Sequence, residues 1–160
     1  MNDIAIRKAS VADLDDINNI IHKCVFSWDL PDRVKRLTVQ SYCYDEFDLD
    51  NLDIFVATDS LKFLVGVASL EQATKADLPE TSSGLLLHGL YVNPEYQHQG
   101  VGQKLIHQSF QHVRHHQLQG LLVKAQCNAN SYFDQQGFEK LAVNDANRDY
   151  PHRWWKSAIN

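Results

Sequence analysis

One segment constrains the fold of this chain more than any other. Leu85 to Val92 reads as a strand that stops at Asn93-Pro94, because proline cannot donate to a β-ladder. Beyond Gly100-Val101-Gly102, the apolar positions Leu105, Ile106, Phe110 and Val113 share one helical face, ending near Gly120. Leu121 to Ala125 follows as a short buried strand. Strand, helix over residues 101–117 and strand make a crossover unit, which predicts parallel, right-handed pairing of the two strands.

The flanking chain supplies the rest of the sheet. Ile4 to Arg7 alternates like a strand, and Ser10-Val11-Ala12-Asp13 carries capping-box letters ahead of a stripe formed by Leu14, Ile17, Ile21 and Cys24 or Val25. Trp28-Asp29-Leu30-Pro31-Asp32 breaks that helix, and a weaker one is predicted from about Arg33 to Tyr44. Asp45 to Asp53, with five acids and no base, reads as a solvated loop. Ile54 to Thr58 and Phe63 to Leu70 form a hairpin across Asp59-Ser60-Leu61-Lys62, and Lys75 to Gly84 is a loop. Asn128 to Gln136 predicts a short helix, and Phe138 to Val143 and Arg153 to Ile159 the last strands. The expected fold is α/β: a mixed, mostly antiparallel sheet of about seven strands with helices on both faces, in a single domain over residues 1–160.

Composition narrows the classes. A chain of 160 residues, 44% apolar and 22% charged, can bury a core without metal or disulfide staples. Its longest aliphatic run, Leu85-Leu86-Leu87, is far short of the ~18 residues that a membrane span needs. Met1 to Lys8 has no apolar segment behind a basic start, so no secretory signal is expected. Cys24, Cys43 and Cys127 form an odd set without C-x-x-C spacing, and read as reduced thiols of a cytoplasmic protein. The net charge of -5 is unevenly spread. Residues 1–80 carry 15 acids and eight bases, whereas residues 81–160 carry five acids, seven bases and seven of the eight histidines. Neither half suggests a nucleic-acid footprint, and no membrane partner is expected; the second half is the better place for an anionic ligand.

The chemistry concentrates in the turn between strand and helix, from Tyr91 to Leu105. Glycines at 100 and 102 let the backbone approach a ligand closely, and the first N–H groups of the helix lack internal partners at the positive end of its dipole. A phosphate is the natural occupant. A dinucleotide turn would need a glycine where Leu105 stands, and a P-loop would need Gly-Lys-Ser or Gly-Lys-Thr; neither is present. A glycine-rich tight turn without a ligand satisfies the same letters.

Gln97-x-x-Gly100-x-Gly102, preceded by Leu90-Tyr91-Val92-Asn93-Pro94 and followed by the amphipathic helix, resembles the acetyl-coenzyme A motif of the GNAT N-acetyltransferase superfamily. Ala125 to Phe138, with Asn128, the pair Tyr132-Phe133 and Gly137-Phe138, is similar to a second segment of that family. The resemblance implies acetyl-CoA as cosubstrate, with its pantetheine arm beside the backbone of Leu90, Tyr91 and Val92. It places the pyrophosphate on the amides of Gln97, His98, Gln99, Gly100, Val101 and Gly102, with Gln103 in the same first turn. Asn128 would hydrogen-bond the arm or, equally, cap the short helix. Phe133 stands where the family usually has its acid tyrosine, and completes the expected cofactor contacts.

Amine acetylation needs a base for the ammonium and an acid for the departing thiolate. By the resemblance, His88 occupies the place of a catalytic carboxylate, and an imidazole suits the role; packing or solvent exposure is the plainer reading. Tyr132 is the candidate acid, one residue away from the usual position and so turned by roughly 100° on a helix. Cys127 has no paired base, and direct transfer needs no acyl-enzyme. His112 and His116, four residues apart, lack a third ligand and read as a solvated face, so no metal is expected.

The resemblance puts the acceptor against Trp28, Asp29 and Tyr42, with Phe26, Tyr44 and the acidic stretch nearby. The aromatics serve equally well as core. Negative potential favours a primary amine of a small molecule or peptide. Adjacent Trp154 and Trp155 alternate across a strand, which would allow one to cover a partner in a homodimer. The expected function is direct N-acetyl transfer from acetyl-CoA; the alternative, motivated by Phe133, is a non-catalytic acyl-CoA binding or sensing module.

Overall fold

The computed structural model describes residues 3–158. Among them, seven strands form one mixed sheet in the order β1-β2-β3-β4-β5-β7-β6. These are β1 (Ala5–Lys8), β2 (Asp53–Thr58), β3 (Leu64–Gln72), β4 (Gly84–Val92), β5 (Gly120–Lys124), β6 (Glu139–Lys140) and β7 (Arg153–Ser157). The helices are α1 (Leu14–Ser27), α2 (Asp32–Tyr42), α3 (Glu46–Asn51), α4 (Val101–His115) and α5 (Asn130–Gln135). Two compact units divide the chain: residues up to Ser69 with Gly89–Ile106, and Leu70–His88 with the chain from His107 onward.

In the first unit, β1 pairs antiparallel with β2 from Ala5↔Thr58 to Lys8↔Phe55, one residue later than the predicted Ile4 to Arg7. Asp13 accepts the Ser10 N–H at 2.8 Å and the two terminal guanidinium nitrogens of Arg7 at 2.8 and 2.9 Å, which fixes the entry to α1. The Arg7 hydrogen bonds hold the Asp13 carboxyl at about 2. Ile17, Ile21 and Val25 of α1 then pack with Val39 of α2, Ile54 and Val56 of β2, and Val67 of β3. The opposite face of β3 is covered too. A Cβ on Gly66 would lie 2.9 Å from Val101 and 3.0 Å from Leu105, so α4 sits directly on that backbone. Consecutive strand residues face opposite sides, so Gly66 and Val67 show helices on both faces within this unit.

The acidic stretch is a helix rather than the solvated loop expected from its charge. Asp45 accepts the Asp48 N–H at 3.0 Å while Asp48 accepts the Asp45 N–H at 2.9 Å, a reciprocal cap that starts α3. The acids at the N-terminus of this short helix also meet the favourable end of its dipole.

In the second unit, β4 and β5 pair in parallel from Gly84↔Gly120 to Leu87↔Val123, as the crossover predicts. β7 runs antiparallel to β5, and β6 antiparallel to β7. Trp155 covers its own chain: a Cβ on Gly120 would sit 2.5 Å from its ring, and one on Gly84 2.8 Å from it. The predicted strand Phe138 to Val143 shrinks to Glu139–Lys140, because the buried Arg153 draws the Ala142 carbonyl to its guanidinium at 3.0 Å. Helix α4 stops at His115, short of residue 117, where Gln117 turns to a φ of 58°. The short helix predicted from Asn128 splits into a 3-10 turn, Cys127–Ala129, and α5. The last strand ends at Ser157; its predicted end, Ile159, lies outside the described residues.

Candidate active site

In the first unit, the chain leaves β4 through Asn93, whose N–H donates to the Val65 carbonyl at 2.9 Å. Its side chain accepts the Glu95 N–H at 3.1 Å and opens a 3-10 turn, Pro94–Tyr96. Gln97 is exposed and folds its amide back to the Val92 carbonyl at 3.4 Å. His98 and Gly100 then take φ values of 62° and 83°, and these two left-handed residues bring the chain round into α4. The first helical bond, from the Lys104 N–H to the Gly100 carbonyl, is 3.1 Å. By helix geometry, the amides of Gly100, Val101, Gly102 and Gln103 precede it and have no partner inside the helix.

A Cβ built at Gly100 meets nothing within 4 Å, so the approach to those amides is open. Gln99 and Gln103 are exposed, whereas the Val101 side chain is buried and leaves only its amide for a ligand. The arrangement fits a pyrophosphate through backbone N–H groups and the helix dipole.

A buried carboxylate pins this turn. Asp59 accepts the Tyr96 hydroxyl at 3.0 Å, and its other oxygen accepts the N–H groups of Leu61 and Phe63 at 2.9 and 3.0 Å. Sequence reasoning placed Asp59 in the hairpin connection and Tyr96 within the glycine-containing turn, with no role for either. An aspartate opening a four-residue turn is a legible local signal, but its link to Tyr96 has none.

The end of β4 meets the aromatic residues of α1 and α2. Cys24 donates its thiol to the Val92 carbonyl at 3.1 Å, and burial pushes that thiol up to about 11. Burial, with Tyr44, Tyr42, Cys24 and Cys43 nearby, holds the Tyr91 phenol far above its ordinary range. The Tyr44 hydroxyl bonds Ser69 across the backbone of Gly89, where a Cβ would lie 2.5 Å from that hydroxyl and 2.9 Å from the Tyr91 ring. Trp28 and Tyr42 meet edge to face at 5.6 Å. Trp28 and Tyr42 therefore come together, whereas Asp29 is exposed. Leu90, like Tyr91 and Val92, is half-buried.

The second unit holds the candidate proton-transfer groups. His88 Nδ1 lies 3.3 Å from Glu71 Oε1, with both side chains partly exposed. Tyr132 is half-buried, and desolvation raises its phenol, which keeps it protonated at neutral pH. Phe133 points into the core, 5.4 Å from Phe138 ring to ring. Asn128 is exposed within the 3-10 turn, and the N-caps there are Gln126 and Ala129, so the structure does not use it as a cap. Asn130 fixes α5 instead: it accepts from Trp154 Nε1 at 2.8 Å and bonds His152 at 3.0 Å. Tyr150 donates to the Ala125 carbonyl at 2.7 Å. Asn130, His152 and Tyr150 were not sequence candidates. Cys127 is exposed.

An open helix start after a parallel crossover strand fits a phosphate-bearing ligand, and comparison makes the assignment specific. Residues 34–150 match the family model described as the acetyltransferase (GNAT) domain, and the chain belongs to this family of acetyltransferases, for which acetyl-CoA is the donor. The fold is similar to that of PaiA N-acetyltransferase from Thermoplasma acidophilum in complex with coenzyme A, at 16% identity and a TM-score of 0.74, covering 97% of this chain and 99% of that one. A GNAT-family acetyltransferase from Staphylococcus aureus Mu50 is similar at 14% identity and a TM-score of 0.69, over 98% and 99% of the two chains. N-acetylglutamate synthase from Neisseria gonorrhoeae, complexed with coenzyme A and N-acetyl-glutamate, is similar at 17% identity and a TM-score of 0.70, over 99% of this chain and 36% of that one. Comparison with curated proteins finds no match. No helix among the described residues is long and apolar enough to cross a membrane.

Proposed function

We propose that the protein transfers the acetyl group of acetyl-CoA directly to a primary amine of a small molecule or peptide. The observation that carries this reading is the open turn at Gly100, ahead of the first backbone amides of α4, which have no partner inside the helix. Gln97 to Gln103 hold the pyrophosphate, and the backbone of Leu90, Tyr91 and Val92 aligns the pantetheine arm, with Asn128 as a further contact. Phe133, proposed with them as a donor contact, is buried against Phe138. The N-acetyltransferases among the structural neighbours support an amine acceptor. Trp28 and Tyr42 form one wall for its apolar part, and Asp29 attracts its charge. Three free thiols support a reducing, cytoplasmic setting.

In the reaction the amine nitrogen attacks the thioester carbonyl and the carbon–sulfur bond breaks. His88 takes the ammonium proton, and Tyr132 supplies a proton to the leaving sulfur. Positioning of the two substrates accounts for most of the rate, and a proton-transfer group adds about 10²- to 10⁴-fold. Tyr132→Phe is therefore expected to lower kcat by roughly 10²-fold with little change in the KM for acetyl-CoA. Equal turnover in steady-state assays of the two proteins removes Tyr132 from the mechanism.

A non-catalytic acyl-CoA module is the second reading, favoured by the buried, hydroxyl-free Phe133. Calorimetric titration with acetyl-CoA, followed by mass detection of acetylated products across an amine panel, separates the two. Binding with steady turnover of any amine excludes the module; binding with none excludes the transferase.

A further inference from the structure

We propose that Glu71 is a positioning residue that holds His88 in the tautomer of a base, an inference that rests on the acetyl-transfer reading above. Glu71 lies on β3 and His88 on β4, neighbouring strands of the sheet. Their side chains meet at 3.3 Å between Oε1 and Nδ1. An ionised carboxylate only accepts, so a hydrogen bond here requires the proton on Nδ1. The lone pair is then on Nε2, the nitrogen that receives the ammonium proton. When it does, the imidazolium finds an anion already beside it, so the charge formed in the step is stabilised without rearrangement.

The charges around the pair do not oppose this. Lys124, the residue of β5 that follows the Leu87↔Val123 pair, is engaged by Asp77 at 2.7 Å. Arg153 of β7, paired with Lys124 in the ladder, directs its guanidinium to the Asp77 and Ala142 carbonyls at 3.0 Å each. Both cations thus have oxygen partners other than Glu71.

The test combines nitrogen NMR of the His88 ring at a pH where it is neutral with steady-state kinetics. In the wild type the Nδ1–H tautomer dominates. Glu71→Gln, whose amide oxygen still accepts, retains that tautomer, whereas Glu71→Ala gives a mixture. In turnover, Glu71→Ala is expected to lower kcat about 10-fold with the KM for acetyl-CoA unchanged, and to cause no further loss in a His88→Ala background, since residues acting as one unit are non-additive. An unchanged tautomer ratio in Glu71→Ala overturns the inference, as does a full additional loss in the double variant. The tautomer measurement needs no acceptor, so its failure is distinct from failure of the acetyl-transfer reading.

Discussion

Gly100→Val is expected to weaken acetyl-CoA binding by roughly 10²-fold or more while costing the fold only about 1–2 kcal/mol. The two effects have separate causes. Gly100 has a φ of 83°, in the left-handed region where a β-branched residue is strained. A Cβ there touches nothing within 4 Å, so the loss of stability is conformational and not a packing clash. Each kcal/mol lowers the Tm of a chain this size by about 2–4 °C, so the thermal shift should be modest. Binding suffers more, because the same side chain enters the space through which a phosphate reaches the amides of residues 100–103. A hydrogen bond to a charged group contributes about 1.5–3 kcal/mol, and losing two of them accounts for the expected affinity change. Gly100→Asn separates the causes, since asparagine tolerates this backbone region: its Tm should stay near that of the wild type while its affinity falls. Thermal melts and calorimetric titration with coenzyme A measure both. A valine variant that binds coenzyme A as tightly as the wild type would remove the turn from the donor site.

That turn was legible because its letters act locally. Pro94 ends a strand and Gly100 permits a positive φ, whatever else surrounds them. The same local logic misread the acidic stretch: five acids suggested solvation, but Asp45 and Asp48 cap one another and turn repulsion into a helix start. Phe138 to Val143 reads as a strand, yet the ladder with β7 covers only Glu139 and Lys140; Leu141 donates once more, to the Arg153 carbonyl at 2.9 Å, and the Arg153 guanidinium takes the Ala142 carbonyl. Strand patterns report which face is apolar and say nothing of where the partner strand stops. Site contacts were hidden for a related reason. Tyr96 reaches Asp59 across 37 positions, Asn130 reaches Trp154 across 24, and His88 reaches Glu71 across 17; no periodicity encodes such separations. The sequence also named Tyr132 and Phe133 as an ambiguous pair. Burial distinguishes them, with Phe133 in the aromatic core beside Phe138 and Tyr132 at its edge.

Asp59→Ala is expected to destabilise the protein by about 2–4 kcal/mol and to weaken coenzyme A binding about 10-fold. The carboxylate is only 7% exposed and has three donors. Removing it strands the N–H groups of Leu61 and Phe63 and takes an acceptor from the Tyr96 hydroxyl, and an unsatisfied buried group costs about 1–3 kcal/mol. Leu61 and Phe63 are exposed, so water recovers part of that cost and keeps the total below the simple sum. The effect on binding travels through Tyr96, which ends the 3-10 turn four residues before Gly100. Tyr96→Phe isolates this path: it removes one hydrogen bond, should leave the stability near that of the wild type, and should still weaken coenzyme A several-fold. Chemical denaturation gives the stability of both variants, and titration at a temperature where both remain folded gives the affinity. If Tyr96→Phe binds coenzyme A as the wild type does while Asp59→Ala is destabilised as expected, Asp59 supports the hairpin alone and the turn holds its shape through Asn93 and the glycine.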